Sequence, residues 1–81
     1  MLVKKYYVDE SPQENGDHEV HSNYPSCPWM PHRKNRIYLG EFERCDEALE
    51  EALRLFDRVK GCFHCGTSCH EEMGSVMVEK R

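Results

Sequence analysis

The spacing of apolar residues changes along this chain, and each change marks an element. From Leu2 to Val8 the period is two: Val3, Lys5 and Tyr7 share one face, and Tyr6, Tyr7 and Val8 favour extended backbone, so the segment predicts a strand. Asp9 to Asp17 carries no core residue; Pro12 and Asn15-Gly16 punctuate it, and Asn-Gly accepts the positive φ that tight turns need. His18 to Asn23 alternates again around Val20 and predicts a second, short strand, paired with the first through a long loop. Tyr24 to Asn35 is irregular, because Pro25, Pro28 and Pro31 exclude a regular helix or central strand; Trp29 and Met30 are expected to fold back over the core. Arg36 to Phe42 reads as a third strand, with Gly40 marking a bulge or a close backbone approach.

The period then lengthens. From Asp46 to Lys60, Leu49, Ala52, Leu53, Phe56 and Val59 recur at three- and four-residue spacing, which predicts one amphipathic helix. Glu47, Glu50 and Glu51 sit toward its start and Arg54, Arg58 and Lys60 toward its end, an order that suits the helix dipole, with Glu50 and Arg54 placed as an i,i+4 pair. Gly61 is the expected stop. Glu71 to Arg81 is polar apart from Val76-Met77-Val78 and is expected to be mostly disordered, or to add an edge strand in an oligomer. The expected architecture is α+β: a small antiparallel sheet of two to three strands with one helix, in a single domain spanning 1–70, followed by the 71–81 tail.

Composition adds a constraint. The chain has 81 residues and is only 38% apolar. Domains this small bury a limited core and commonly need disulfides, a metal or a partner. The net charge of −4 disfavours nonspecific binding to nucleic acid, and the basic run His32-Arg33-Lys34-Asn35-Arg36 reads as a solvated turn before it reads as a phosphate site. No signal-peptide h-region follows Lys4-Lys5, and no apolar stretch approaches the length that spans a bilayer, so a reducing, cytoplasmic location is expected. Five cysteines, an odd number, also fit a metal site better than a pure disulfide framework.

The chemistry lies in Cys62, Cys65, Cys69 and His70, with His21 and Cys27 upstream. Two thiolates in a Cys-x-x-Cys knuckle can share one ion, and a closed tetrahedral site needs two further Cys or His donors. The favoured set is His21, Cys27, Cys62 and Cys65, with Zn2+ as the expected ion and iron as the alternative for a sulfur-rich four-coordinate site. The competing set is Cys62, Cys65, Cys69 and His70; it leaves His21 and Cys27 unexplained and asks adjacent side chains to reach one ion. Cys45 and Cys69 remain as additional thiols. Cys45, at the helix start, reads as a small core residue before a reactive thiol, and a Cys45–Cys69 disulfide is open if the compartment is oxidising. His64 is expected to face solvent, and His18 and His32 to lie on the surface. A c-type haem site is excluded because Gly66 stands where its histidine would be, and this Cys-x-x-Cys follows a helix where a thioredoxin-like motif opens one.

The order His21…Cys27-Pro28, Asn35-Arg36-Ile-Tyr-Leu-Gly40, Cys45-x-Glu47-Ala48 and Gly61-Cys62-x-x-Cys65 with Cys69-His70 resembles a group of short, uncharacterised bacterial Cys/His-rich proteins, over roughly residues 18 to 70. More distantly it is similar to the metal-binding domain of the Ada DNA-repair protein. That resemblance implies a small α+β fold with His21 and Cys27 as the first ligand pair and Cys62 and Cys65 as the second. The wider first pair and the absence of a basic flank set this chain apart from the Ada repair chemistry. The expected role is a zinc-stabilised interaction module with a protein partner; an Ada-like nucleic-acid accessory and a thiol-based redox or metal sensor are the alternatives. Four protein-derived ligands leave no open position for a substrate, so no enzyme is expected.

Overall fold

The computed structural model describes residues 3–23, 27–65 and 67–78. Among these residues five strands, two α-helices and a short 3-10 turn (Arg33–Asn35) are formed: β1 (Lys4–Asp9), β2 (His18–Ser22), the 3-10 turn, β3 (Arg36–Phe42), α1 (Cys45–Ala52), β4 (Arg58–Gly61), α2 (Thr67–Met73) and β5 (Val76–Met77). The fold is α+β, but the sheet has five strands in the order β3-β1-β2-β4-β5, where two to three were expected, and it is mixed, where an antiparallel one was expected. β1 pairs antiparallel with β2 and β3, β2 pairs parallel with β4, and β4 pairs antiparallel with β5.

β1 and β2 form the expected hairpin. Its loop is closed by Gln13 N–H to Asp17 O and Gly16 N–H to Gln13 O, with Gly16 at φ +96°. Asp17 is the buried anchor of this loop: its carboxylate accepts from Arg58 Nε at 3.2 Å, from Asn15 Nδ2 at 3.0 Å and from the Ser75 hydroxyl, so one side chain ties the loop to β4 and to the start of β5. On the other side of β1 the register slips at Tyr6/Tyr7, where Tyr6 faces Gly40 and Tyr7 faces Tyr38, leaving Leu39 as the extra residue of a bulge. Gly40 sits there at φ +128°, and a Cβ would lie 3.3 Å from the Phe42 ring, so both backbone and space call for glycine.

α1 lies across one face of the sheet. Its Ala48, Leu49 and Ala52 are buried against Tyr6, Val8, Val20, Leu39 and Val59. The Glu47 carboxylate accepts from the Arg44 amide at 3.1 Å and holds the helix start. The helix ends at Ala52, well short of the expected Lys60. Arg54 N–H and Leu55 N–H bond three residues back, to Glu51 and Ala52, which tightens the last turn and releases the chain into β4. Val59 satisfies both readings: it continues the helical stripe of Leu49, Ala52 and Phe56, and it is equally the buried residue of an Arg58-Val59-Lys60-Gly61 alternation. Pairing with β2 decides between them. Gly61 therefore ends a strand and not a helix, Arg58 and Lys60 lie outside α1, and Arg54 meets Glu51 at 3.5 Å in place of Glu50.

The expected disordered tail also differs. Residues up to 73 complete α2, Gly74 turns the chain at φ +58°, and Val76–Met77 hydrogen-bonds to β4. Val76 packs against the core and Ser75 reaches Asp17, which are the contacts that tie this segment down; residues 79–81 lie outside the described residues. Among the described residues no helix is long and apolar enough to cross a membrane.

Candidate metal centre

β2 and β4 run parallel, so both deliver their C-terminal ends to the same end of the sheet. His21 stands near the end of β2, and Cys62 follows β4 directly, its amide bonded to the Val20 carbonyl at 3.0 Å. The Phe63–Cys65 turn brings Cys65 back over Ser22, whose amide donates to the Cys65 sulfur at 3.4 Å and whose hydroxyl donates to the Cys65 carbonyl at 3.5 Å. Cys27 comes from the loop after β2, held by a turn in which Met30 N–H bonds Cys27 O at 3.1 Å. The bend expected at Pro25 lies outside the described residues.

The ligand atoms of His21, Cys27, Cys62 and Cys65 lie within 4.8 Å of one another, in a group that can hold a metal ion. His21 and Cys62 are fully buried, Cys27 is 7% exposed and Cys65 is half-buried. A tetrahedral ion with bonds of about 2.3 Å to sulfur and about 2.0–2.1 Å to imidazole nitrogen sets sulfur–sulfur edges of about 3.8 Å and nitrogen–sulfur edges of about 3.6 Å. The observed separations are 3.7 Å for Cys27 Sγ to Cys62 Sγ, 3.6 Å for Cys27 Sγ to His21 Nδ1 and 3.5 Å for Cys65 Sγ to His21 Nδ1. All three match the edge lengths of such a tetrahedron. They are also too long for disulfides, and the three thiols are unbridged.

The surroundings suit thiolates. Besides Ser22, the amide of His64 donates to Cys62 Sγ at 3.4 Å, so two backbone dipoles point at sulfur. Nδ1 of His21 faces the sulfurs, while Nε2 is buried without a hydrogen-bond partner among the described residues and lies 3.7 Å from a Glu19 carboxylate oxygen. Glu19 thus stands behind the imidazole, where an outer-shell carboxylate orients a metal-bound histidine. Burial lowers the His21 pKa, which keeps its imidazole neutral and able to donate a lone pair. Burial raises the Cys27 thiol and pushes the Cys65 thiol well above its ordinary range, so thiolates here need a cation to accompany them.

The competing donors are occupied elsewhere. Cys69 is bonded to Cys45, Cα to Cα 6.2 Å, so the two additional thiols form a disulfide that links α2 to the start of α1. His70 Nδ1 lies 3.2 Å from the Gly61 carbonyl. His64 is exposed as expected. His18, expected on the surface, is half-buried, stacks on Phe56 at 3.7 Å between ring centres and places Nδ1 2.8 Å from the Asp9 carbonyl; the early end of α1 is what brings Phe56 there. His32 is exposed, and its Nδ1 accepts from the Lys34 amide. Trp29 does not cover the core: it is 59% exposed, with its ring 6.2 Å from Phe63 in the knuckle, because α1 already closes the core face and the Trp29 turn hangs from Cys27. In the basic run, Arg36 lies over the Tyr7 ring at 4.7 Å and donates to the Pro31 carbonyl, which leaves Arg33 and Lys34 as its exposed cations. Sequence reasoning missed Glu19 and Ser22, whose proximity to the ligands comes from strand register. The alternation of β2 was the available signal, since it puts Glu19 on the face of His21.

No protein-family model, no curated protein and no solved structure matches the chain.

Proposed function

We propose that the chain is a small zinc-binding module in which the ion stabilises the fold, and that its role is to present a surface to a protein partner. One observation carries the zinc reading: three sulfurs and one imidazole nitrogen lie within 4.8 Å of one another in a largely buried cluster, and three of their separations, 3.5–3.7 Å, match tetrahedral edges. Three cysteines with one histidine is a structural zinc donor set. The ion would be held by Cys27, Cys62 and Cys65 through sulfur and by His21 through Nδ1. It would join the loop after β2 to the end of β4 and neutralise thiolates that burial otherwise forbids. Four protein ligands leave no open coordination position, so the role is binding, not catalysis.

The interaction role is supported by where the exposed apolar groups stand. Trp29 and Phe63 are 59% and 55% exposed, and both project from segments that carry a ligand, Trp29 two residues after Cys27 and Phe63 within the knuckle. Aromatic side chains held on a rigid support are what protein interfaces use as anchors.

Native mass spectrometry of protein prepared without chelator, then of the same sample unfolded in acid, tests the metal reading. One zinc that leaves on unfolding is expected. One iron would keep the site and change the ion; no metal would overturn the reading.

A further inference from the structure

The Cys45–Cys69 disulfide lies outside the metal centre but close to it. Cys45 is the first residue of α1, Cys69 lies in α2, and Cys69 is 3% exposed while Cys45 is half-buried. Both cysteines line a cavity of about 510 Å³, and so does Cys65, one of the metal-centre thiols. The same wall carries both signs of charge, with Lys4 and Arg44 against Glu43, Asp46 and Glu72. A cavity of that size and mixed charge suits a zwitterionic thiol no larger than a short peptide.

We propose that Cys45–Cys69 is a thiol-exchange site, reached through this cavity by a small zwitterionic thiol, whose opening loosens the metal centre. The proposal rests on the zinc reading above. The incoming thiolate attacks Sγ of Cys45, the less buried of the two residues. A sulfur–sulfur bond forms between them, the Cys45–Cys69 bond breaks, and its electron pair leaves on Cys69 Sγ, which takes a proton from water. A second thiol then displaces the first as a small-molecule disulfide and leaves Cys45 reduced. The chain gains two electrons, and the two small thiols lose them.

The consequence for the metal follows from connectivity. One residue separates Cys65 from Thr67, the first residue of α2. The disulfide is the covalent tie of α2 to α1; beside it stand the non-covalent contacts of His70 with the Gly61 carbonyl and the Phe63 ring. With the clasp open, the helix that follows Cys65 loses its covalent hold, and the fourth ligand is left to its two hydrogen bonds from Ser22, a looser support for the ion.

Reduced glutathione is the probe. Zinc-loaded native protein is incubated with it, and intact mass and peptide mapping follow the sulfurs. One glutathione on Cys45 with Cys69 released as a thiol, passing on with more glutathione to two free thiols, is expected. Zinc affinity is then measured by competition with a chromophoric chelator, for wild type, for wild type reduced by a phosphine, and for the Cys45→Ser/Cys69→Ser double variant. Roughly tenfold weaker binding in both opened forms is expected, the scale of losing an outer-shell support. The reduced wild type keeps the test decisive should the double variant fail to fold. A clasp that glutathione leaves intact in the native protein, or affinities equal within about a factor of two, overturns the proposal and leaves the zinc site standing. Absence of zinc binding in every form overturns both.

Discussion

The amide of Cys62 donates to the carbonyl of Val20 at 3.0 Å, extending the parallel pairing of β2 and β4 one step past Val20 and Gly61. This bond joins the two halves of the metal centre. It sets Cys62 beside His21, the next residue on the neighbouring strand, and the return of Cys65 over Ser22 follows from the same register.

Removing a central ligand should release the ion and unsettle the fold. Cys62→Ser is expected to lose stoichiometric zinc and to fall in stability by about 4 kcal/mol, the contribution of a ligand present at a thousandfold over its Kd. Metal analysis after gel filtration and chemical denaturation in the presence of zinc check this, and unchanged metal content would sink the ligand assignment.

Glu19 is expected to act through His21. Glu19→Ala should weaken zinc binding by roughly 10- to 100-fold, as loss of an outer-shell carboxylate does, while the metal-free protein keeps its fold. Chelator competition reads the affinity, and circular dichroism of the metal-free variant reads the fold. An affinity equal to wild type would show that the 3.7 Å approach of Glu19 to Nε2 does not orient the imidazole.

The metal-free protein should be most stable between two titrations. Burial lowers the His21 pKa from the ordinary 6.5, so below that pH the unfolded chain binds the proton that the native state refuses, and stability falls as pH drops. Burial raises Cys27 and Cys65 from 9.0, so above that pH the unfolded chain releases protons that the native state keeps, and stability falls as pH rises. Denaturant midpoints of the chelated protein across this range test both arms. Zinc removes the alkaline arm, because the bound sulfurs are already thiolates, and steepens the acid arm, because protons compete for the ligands.

Asp17 is 1% exposed and holds Arg58, Asn15 and Ser75 together. Asp17→Ala leaves Arg58 without its partner and frees the segment before β5. A loss of about 3 kcal/mol is expected in urea unfolding, near the lower end for a broken buried pair because Arg58 is itself 39% exposed. Hydrogen exchange should quicken first at Val76–Met77 and Val78.

Much of the local structure was legible in the sequence. The β1–β2 hairpin, the β3 strand and the start of α1 follow from alternation, turn residues and a change of period, and Gly40 announced the bulge that its φ requires. The residues after Ala52 were not legible, because Val59 obeys both the helical and the extended pattern. α2 escaped for a related reason, and Val76-Met77 was expected as an edge strand only in an oligomer: both elements are too short to be stable alone, and they exist through the disulfide, the Asp17 network and pairing with β4 of the same chain.

What the sequence by itself determined is the donor chemistry: three thiols and an imidazole of the types a tetrahedral ion takes, two of them in a knuckle whose geometry is local. Tertiary structure alone decided that they meet. The choice between parallel and antiparallel pairing of β2 with β4 is made by contacts distant in sequence, through the burial of Val20 and Val59 under α1. Parallel pairing brings both C-terminal strand ends together, where antiparallel pairing would hold His21 and Cys62 a strand length apart. The clasp between Cys45 and Cys69 has the same origin, since neither sequence spacing nor composition says which helix will lie beside which.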